Sequence, residues 1–361
     1  MNIRIEPYAP EHVPAVKSFN ERWETRAGSA FRLSERPPAT PRSALPREEY
    51  LALDDGEVRG SFSLKRQQFW INGQTMEIGN CQLPISEGTF NPAYANLGMV
   101  LLRHALSLQK RLFCLGMGSR QNRLPRLLSA MGWKLIDIPF LFRVNHPARF
   151  MRNIVPLRRT LPRRLAMDAM AASGAGWLGF RALQARIPES SSVAVETVSE
   201  FESWADALWD RCKSDLSLSA VRTSSVLNLL YADPRSIRLK VSRDGVVVGW
   251  VVLRDTQMQN HRYFGNLRVA TIVDAMAVPD AIPAVVRATS RIAEQRGVDL
   301  TISNQGHELW VRSLRHCGFL SGPSNYILAM SPAMAALLEP LATHQSRLHI
   351  NRGDGDGPLD L

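Results

Sequence analysis

The sequence predicts an α/β chain, in detail α+β, made of two tandem domains, each a mixed, mostly antiparallel twisted sheet flanked by helices. Three observations carry that reading. The 361 residues exceed the roughly 250–300 that one hydrophobic core usually organises. Asp55-Gly56-Glu57-Val58-Arg59-Gly60 returns 189 residues later as Asp244-Gly245-Val246-Val247-Val248-Gly249; each is a D-G turn between β-prone runs, the strongest short-range hairpin signal. A helical stretch at 122–131 closing on Gly132-Trp133 returns 186 residues later at 307–316, closing on Gly318-Phe319, with a strand after each. Two landmarks with nearly equal offsets mark a duplicated domain.

The repeats place domain 1 at residues 1–146 and domain 2 at 193–333. A basic, Pro- and Arg-rich linker joins them at 147–192, and a C-terminal helix and partly disordered tail follow at 334–361. Within each copy the order is strand, one or two helices, the D-G hairpin, a further strand, helix, strand, helix, then Gly-aromatic and a last strand. That is a largely antiparallel first half and a β-α-β second half. Residues 351–357 read Asn-Arg-Gly-Asp-Gly-Asp-Gly, yet they lack the spaced ligands and closing Glu of a calcium loop, so a loose end is expected.

Charge is uneven. The chain carries 44 basic against 33 acidic residues, a formal +11, a field that attracts polyanions without specifying which. Between Arg149 and Arg186 eight arginines face one acid, Asp168. Only six of the 44 basic residues are lysines, and such arginine dominance reflects genome composition as well as phosphate binding. Pro147, Pro156 and Pro162 confine helices there to short pieces such as 163–170. The segment reads either as a linker packed across both domains, burying Trp177, Leu178, Phe180 and Leu183, or as a basic amphipathic surface on anionic lipid.

Four scattered cysteines, Cys81, Cys114, Cys212 and Cys317, exclude a disulfide framework and a sequence-local zinc site; no metal is expected, and a reducing, cytoplasmic setting is. The N-terminus has no apolar core behind its basic residue and reads as a strand leading into a helix, not a secretory signal. The longest uncharged run, residues 316–338, is broken by Gly318, Gly322, Pro323 and Pro332 and falls short of the ~20 apolar residues of a membrane span.

The order of elements in both copies resembles the GNAT acyltransferase superfamily, whose members move an acyl group from acyl-coenzyme A to an amine. In that family the fourth strand runs into a Q/R-x-x-G-x-G/A loop, where amides at a helix start cradle the pyrophosphate. Copy 1 offers residues 92–102 after a strand at 77–83: Gly98 matches the first glycine, while Ala95 stands for the Q/R and Val100 for the second small residue. The resemblance implies that Asn96, Leu97, Gly98, Met99 and Val100 hold acyl-CoA (acetyl-CoA) as co-substrate, with Asn122 matching the family's Asn after the fifth strand. A plain helix start near Pro92 is the other reading of the same residues. Copy 2 has Val278-Pro279-Asp280-Ala281-Ile282-Pro283 and no glycine, so copy 1 is the expected coenzyme site. The family's tyrosine acid, four residues before the closing glycine, is Leu128 in one copy and Leu314 in the other.

Acyl transfer to an amine needs a base and oriented donors for the thioester oxyanion. The placed candidates are Glu87, just past copy 1's fourth strand, Asp274 inside the equivalent strand of copy 2, and His307 at a helix start. Asp274 sits among Ile272, Val273 and Met276, where a carboxylate is costly unless paired, so it reads equally as a structural acid held by an arginine. Glu308 is explained by the helix dipole, and Cys81 by packing.

Tandem copies also resemble the Fem-type aminoacyl transferases and the acyltransferase-like proteins of bacterial cell-surface polysaccharide synthesis, the latter through Asn304, His307, Trp310, Gly318-Phe319 and the Arg-Gly-Asp-Gly-Asp-Gly tail. That resemblance implies an acyl-CoA-dependent N-acyltransferase whose partner is a small-molecule or glycan amine, an amino sugar or related cell-surface glycan precursor. It also implies a cytoplasmic protein, at most peripheral at the inner face of the membrane. The alternatives are a Fem-type transferase, with tRNA phosphates on the basic segment, and an inactive tandem fold that binds a partner or an anionic membrane between Arg149 and Arg186. No DNA partner is expected.

Overall fold

Glycines and aspartates at the turns set the first hairpins. A computed structural model describes residues 2–27, 32–37, 45, 47–184 and 193–355. Its first half runs β1 (Arg4–Pro7), α1 (Val13–Ala27), β2 (Arg47–Asp54), β3 (Glu57–Ile71), β4 (Gln74–Ser86), α2 (Leu97–Leu108), β5 (Leu112–Leu115), α3 (Arg123–Ala130), β6 (Lys134–Asp137) and β7 (Phe140–Val144). Next come α4 (Pro147–Asn153), α5 (Leu161–Ser173) and α6 (Ala175–Gln184). The second half repeats the first: β8 (Ala194–Val198), α7 (Ser203–Cys212), β9 (Leu218–Ala220), α8 (Ser224–Leu230), β10 (Ile237–Arg243), β11 (Val246–Gln257), β12 (Arg268–Ala277), α9 (Ile282–Gln295), β13 (Leu300–Asn304), α10 (Glu308–His316), β14 (Leu320–Gly322) and β15 (Ile327–Met330). It closes with α11 (Pro332–Ala335), α12 (Leu341–His344) and β16 (Leu348–His349).

The duplicated hairpin holds to fine detail. Asp55 and Gly56 have φ of 50° and 79°, Asp244 and Gly245 51° and 78°, the paired left-handed residues of a type I′ turn. Each hairpin then slips register by one residue, between Ala52 and Leu53 in β2 and between Val241 and Ser242 in β10. Even the bulge is repeated.

The chain divides into two compact units, and the division cuts across the repeat. Unit 1 is Met1–Phe69, Thr75–Ile136 and Ile327–Glu339; unit 2 is Trp70–Gln74, Asp137–Tyr326 and Pro340–Leu361. Unit 1's strands run in the order β1-β2-β3-β4-β5-β15-β6, and unit 2's in the order β14-β7-β13-β12-β11-β10-β8. Each sheet therefore takes one strand, the one next to an end of its order, from the other copy. β15 pairs antiparallel with β5; β7 pairs antiparallel with both β13 and β14. The sequence reading put 140–144 in the first domain and 327–330 in the second; the sheets hold them the other way round. The physical reason lies in the connection. Only Ile138 and Pro139 separate β6 from β7, and a proline locked near φ −65° does not take the positive φ that a type I′ hairpin turn requires at both central residues, which disfavours a tight return into the same sheet.

In unit 1, α2 and α3 lay Leu97, Leu101 and Leu128 against Phe62, Leu64 and Leu112. In unit 2 both sheet faces are covered: α9 and α10 bring Val285, Trp310 and Leu314 to Val251 and Ile272, and α7 brings Leu208 and Trp209 to Trp250 and Val273. β12 is buried from Val269 to Ala277, the near-continuous apolar run of a strand covered on two sides. No described helix is long and apolar enough to cross a membrane.

Two expectations change here. Residues 351–354 are not a loose end: Asn351 and Asp354 cap each other, and both are buried. The linker forms α4, α5 and α6, with Phe180 edge-on to Phe150, yet Trp177 and Leu178 are exposed. The side chain of Leu183, Arg186 and residues 356–361 lie outside the described residues.

Candidate functional site

Two parallel strands that pair and then part leave room for a ligand between them. β12 and β13 pair from Val269 opposite Leu300 to Ile272 opposite Ser303, and β12 runs on to Ala277 paired with β11. At the parting β12 carries a bulge, since Val252 of β11 faces Asp274 and the next residue, Leu253, faces Ile272. β4 and β5 of unit 1 part sooner, pairing only at Gly79 with Leu112 and Asn80 with Phe113.

In unit 2 the C-terminal segment enters the parting. The Gly306 amide donates to the Ile350 carbonyl at 2.8 Å, Gln305 bridges to Asn351, and the Asn351 side-chain amide donates to Asp274 Oδ1. Glycine is required at 306, because a Cβ there would lie 2.8 Å from the Leu348 carbonyl and 3.3 Å from that of Ile350.

Asp274 anchors this seam. It is fully buried, and its oxygens meet Arg222 Nε at 2.7 Å, the Tyr231 hydroxyl at 2.6 Å and the Ala275 amide at 2.9 Å. Arg222, also fully buried, reaches Asp354 at 2.6 Å with its other arm. Burial and the second carboxylate raise the Asp274 pKa; burial drives the Tyr231 phenol well up. Two carboxylates around one guanidinium hold Arg222 charged despite burial.

At the mouth of the parting lies a cavity of about 370 Å³, whose wall includes Met276, Ile282, His307, Glu308, Arg347 and His349. His307 is 5% exposed and precedes α10 without capping it through its side chain. Its Nδ1 and the Nε2 of His349 have no hydrogen-bond partner among the described residues, and the two rings stand 6.1 Å apart, edge to face. Burial pushes His307 down to about 3 and His349 down to about 4, so both are neutral at physiological pH. Burial pushes the Cys212 thiol, also in this wall, up to about 12, which leaves it unreactive.

The other sequence candidates lie in unit 1. Glu87 is buried, its two oxygens receiving Arg22 Nε at 3.0 Å and Arg59 at 3.2 Å. Asn96 precedes α2 without a side-chain cap; Leu97 is in the core, Gly98 and Met99 are half-buried, and Val100 is exposed. A Cβ on Gly98 would meet only Leu127, at an ordinary 3.5 Å. Asn122 precedes α3 and donates to the Met117 carbonyl at 3.3 Å. The fold thus brings Asp274 and His307 to one parted strand pair, and Glu87 with Asn96–Val100 belongs to the other unit. Sequence reasoning missed Arg222, Tyr231 and His349; the first two are 52 and 43 positions from Asp274, with no local motif to join them.

No protein-family model and no curated protein sequence matches the chain. Solved structures do. It is similar to a probable N-acyltransferase of Enterococcus faecalis V583, with TM-score 0.53 and 10% identity, covering 94% of this chain and 75% of that one. It is similar to a GCN5-related N-acetyltransferase of Anabaena variabilis ATCC 29413, with TM-score 0.54 and 9% identity over 91% and 72% of the two chains. Saccharomyces cerevisiae N-myristoyltransferase with bound myristoyl-CoA matches with TM-score 0.50 and 11% identity over 91% and 82%. At such identities the likeness is one of fold, and that fold is the one of GNAT-type N-acyltransferases.

Proposed function

We propose that the chain is an acyl-CoA-dependent N-acyltransferase, and that its acceptor is the amine of an amino sugar or a related cell-surface glycan precursor. The observation that carries the reading is the cavity where β12 and β13 part, with a neutral imidazole whose Nδ1 has no partner among the described residues. Acyl-CoA supplies an activated thioester: the acceptor's ammonium first loses a proton to solvent, the neutral amine nitrogen then bonds to the carbonyl carbon, the C–S bond breaks, and the second proton leaves on the coenzyme A thiol.

His307 stays unprotonated far below neutral pH, so its ring offers a lone pair to an amine N–H. Asp215 and Glu308 share the wall with Arg312 and Arg347, and Glu308 is held by Arg312, so the fixed charges of the cavity balance. Met276, Ala277 and Ile282 keep that side of the cavity apolar and strengthen polar contacts within it. Asp274 is already engaged by Arg222, Tyr231 and Asn351; we give it the part of a counter-charge that positions residues 351–354. Glu87, held by Arg22 and Arg59, takes the same part in unit 1.

A coenzyme pyrophosphate needs free amides at a helix start. The first amides of α2, at Leu97 and Gly98, have that position, flanked by Asn96, Met99 and Val100, with Asn122 at the start of α3. At the start of α9, Pro279 and Pro283 remove two donors. Within unit 1 the start of α2 is therefore the phosphate site this reading predicts, and it is tested separately from the cavity of unit 2.

Thermal unfolding with acetyl-CoA and longer acyl-CoAs tests the reading, together with thiol release in the presence of amino sugars. A ligand at ~100 times its Kd stabilises by about 2.7 kcal/mol. Gly98→Glu is expected to abolish that stabilisation, and His307→Ala to keep it while losing about a hundredfold or more in turnover. Absence of stabilisation by every acyl-CoA overturns the proposal, and salt-sensitive tRNA binding in its place points to an aminoacyl-tRNA donor.

A further inference from the structure

The exposed apolar side chains of this protein are concentrated in one place. Among the described residues eleven large hydrophobic side chains are exposed, and seven of them fall within residues 155–178. An eighth, Tyr263, belongs to the same surface, because its carbonyl accepts the Val155 amide at 2.9 Å. Leu161 is 69% exposed, Leu165 62%, Trp177 48% and Leu178 63%. Leu161, Leu165 and Leu178 stay mostly in water, and such a concentration of apolar surface marks a docking face.

α5 shows how the surface is built. Its inward side carries Met167 and Ala171, which pack with the Phe150 cluster. Its outward side presents Leu161, Leu165, Ala169 and Ala172, all exposed, at the spacing of one helical face. A left-handed Gly174 turns the chain into α6, which adds Trp177 and Leu178.

Within residues 147–184 the exposed charge has one sign. Arg152, Arg159, Arg163 and Arg164 are exposed. The one acid between residues 147 and 184, Asp168, is taken by Arg158 through a two-pronged contact at 2.6 and 3.0 Å. Exposed leucines and a tryptophan ringed by arginines complement one kind of surface, an anionic bilayer: apolar side chains enter the acyl boundary while guanidinium groups meet the headgroup phosphates.

We propose that α5 and α6 dock unit 2 on an anionic membrane surface. Two other occupants fit less well. RNA phosphates use the arginines and leave Leu161, Leu165 and Leu178 in water. A second copy sets this arginine set against itself.

Co-sedimentation of the full chain with phosphatidylcholine vesicles, with and without about 30% phosphatidylglycerol, tests the proposal. Binding is expected only with the anionic lipid and is expected to weaken as salt rises. Leu165→Asp combined with Leu178→Asp, and separately Arg163→Glu combined with Arg164→Glu, are each expected to weaken it about tenfold or more. All four side chains are exposed, so an unchanged circular dichroism spectrum and unfolding midpoint certify the variants. Equal binding to neutral vesicles, or no effect of either double variant, overturns the proposal. So does RNA binding that survives the Leu pair and exceeds vesicle binding, or a dimer broken by Leu165→Asp in a protein that ignores vesicles.

Discussion

At the residue scale, the decisive groups of unit 2 are charges and imidazoles held out of water. Arg222 lies between Asp274 and Asp354, all three buried. Breaking such a cluster by removing one partner leaves uncompensated charge and costs about 3–5 kcal/mol. Arg222→Leu is therefore expected to lose that much stability in urea unfolding, and a loss below 1 kcal/mol would show that the cluster is solvated. His307 and His349 work through pH. Their folded pKa values, about 3 and about 4, lie below the usual 6.5, so on acidification the unfolded chain takes up protons before the folded one does. Their contribution is fully present above pH 6.5 and is lost as pH falls from there toward 4. His307→Asn is expected to flatten the fall in stability between pH 6.5 and 4.5 by up to about 1.4 kcal/mol per pH unit; identical slopes would place the wild-type ring in water.

At the element scale, glycines do two different jobs. Gly56 and Gly245 serve backbone conformation alone: both have positive φ, and an added Cβ meets nothing within 4 Å. Alanine at either is expected to cost about 1 kcal/mol, equally in the two repeats, as read by the unfolding midpoint. Gly306 serves close approach, since the nearest atom to an added Cβ is the Leu348 carbonyl oxygen at 2.8 Å, with Ile138 Cδ1 and the Ile350 carbonyl oxygen at 3.3 Å. Gly306→Ala is expected to cost about 1–3 kcal/mol and to speed hydrogen exchange at residues 348–351; unchanged exchange there would mean the segment is held without that approach. The hairpins were legible because Asp-Gly turn chemistry is local. The seam was not, because Gly306 and Ile350 are distant in sequence and their meeting leaves no spacing to read.

At the scale of the whole molecule, each sheet depends on a strand from the other copy. A fragment of residues 1–146 lacks β15 and so leaves β5, whose residues are all buried, as an open edge. That fragment is expected to aggregate alone and to fold when co-expressed with residues 147–361; a soluble, cooperatively folded fragment would show that β15 is dispensable. The exchange also ties the units together by chain connectivity.

The sequence by itself determined the repeated turns, the helix starts and the concentration of arginine, because each is written in neighbouring residues. His307 was legible on the same terms, as a titratable residue at a helix start. Only the tertiary structure decided which sheet receives β7 and β15, since Pro139 disfavours a type I′ turn without naming the strand's destination. It alone decided that Asp274 is bound by Arg222, and that Trp177 and Leu178 face outward. Pairing and burial are set by residues tens to hundreds of positions apart, and a linear pattern has no way to encode which of many arginines reaches a carboxylate or which apolar face is left uncovered.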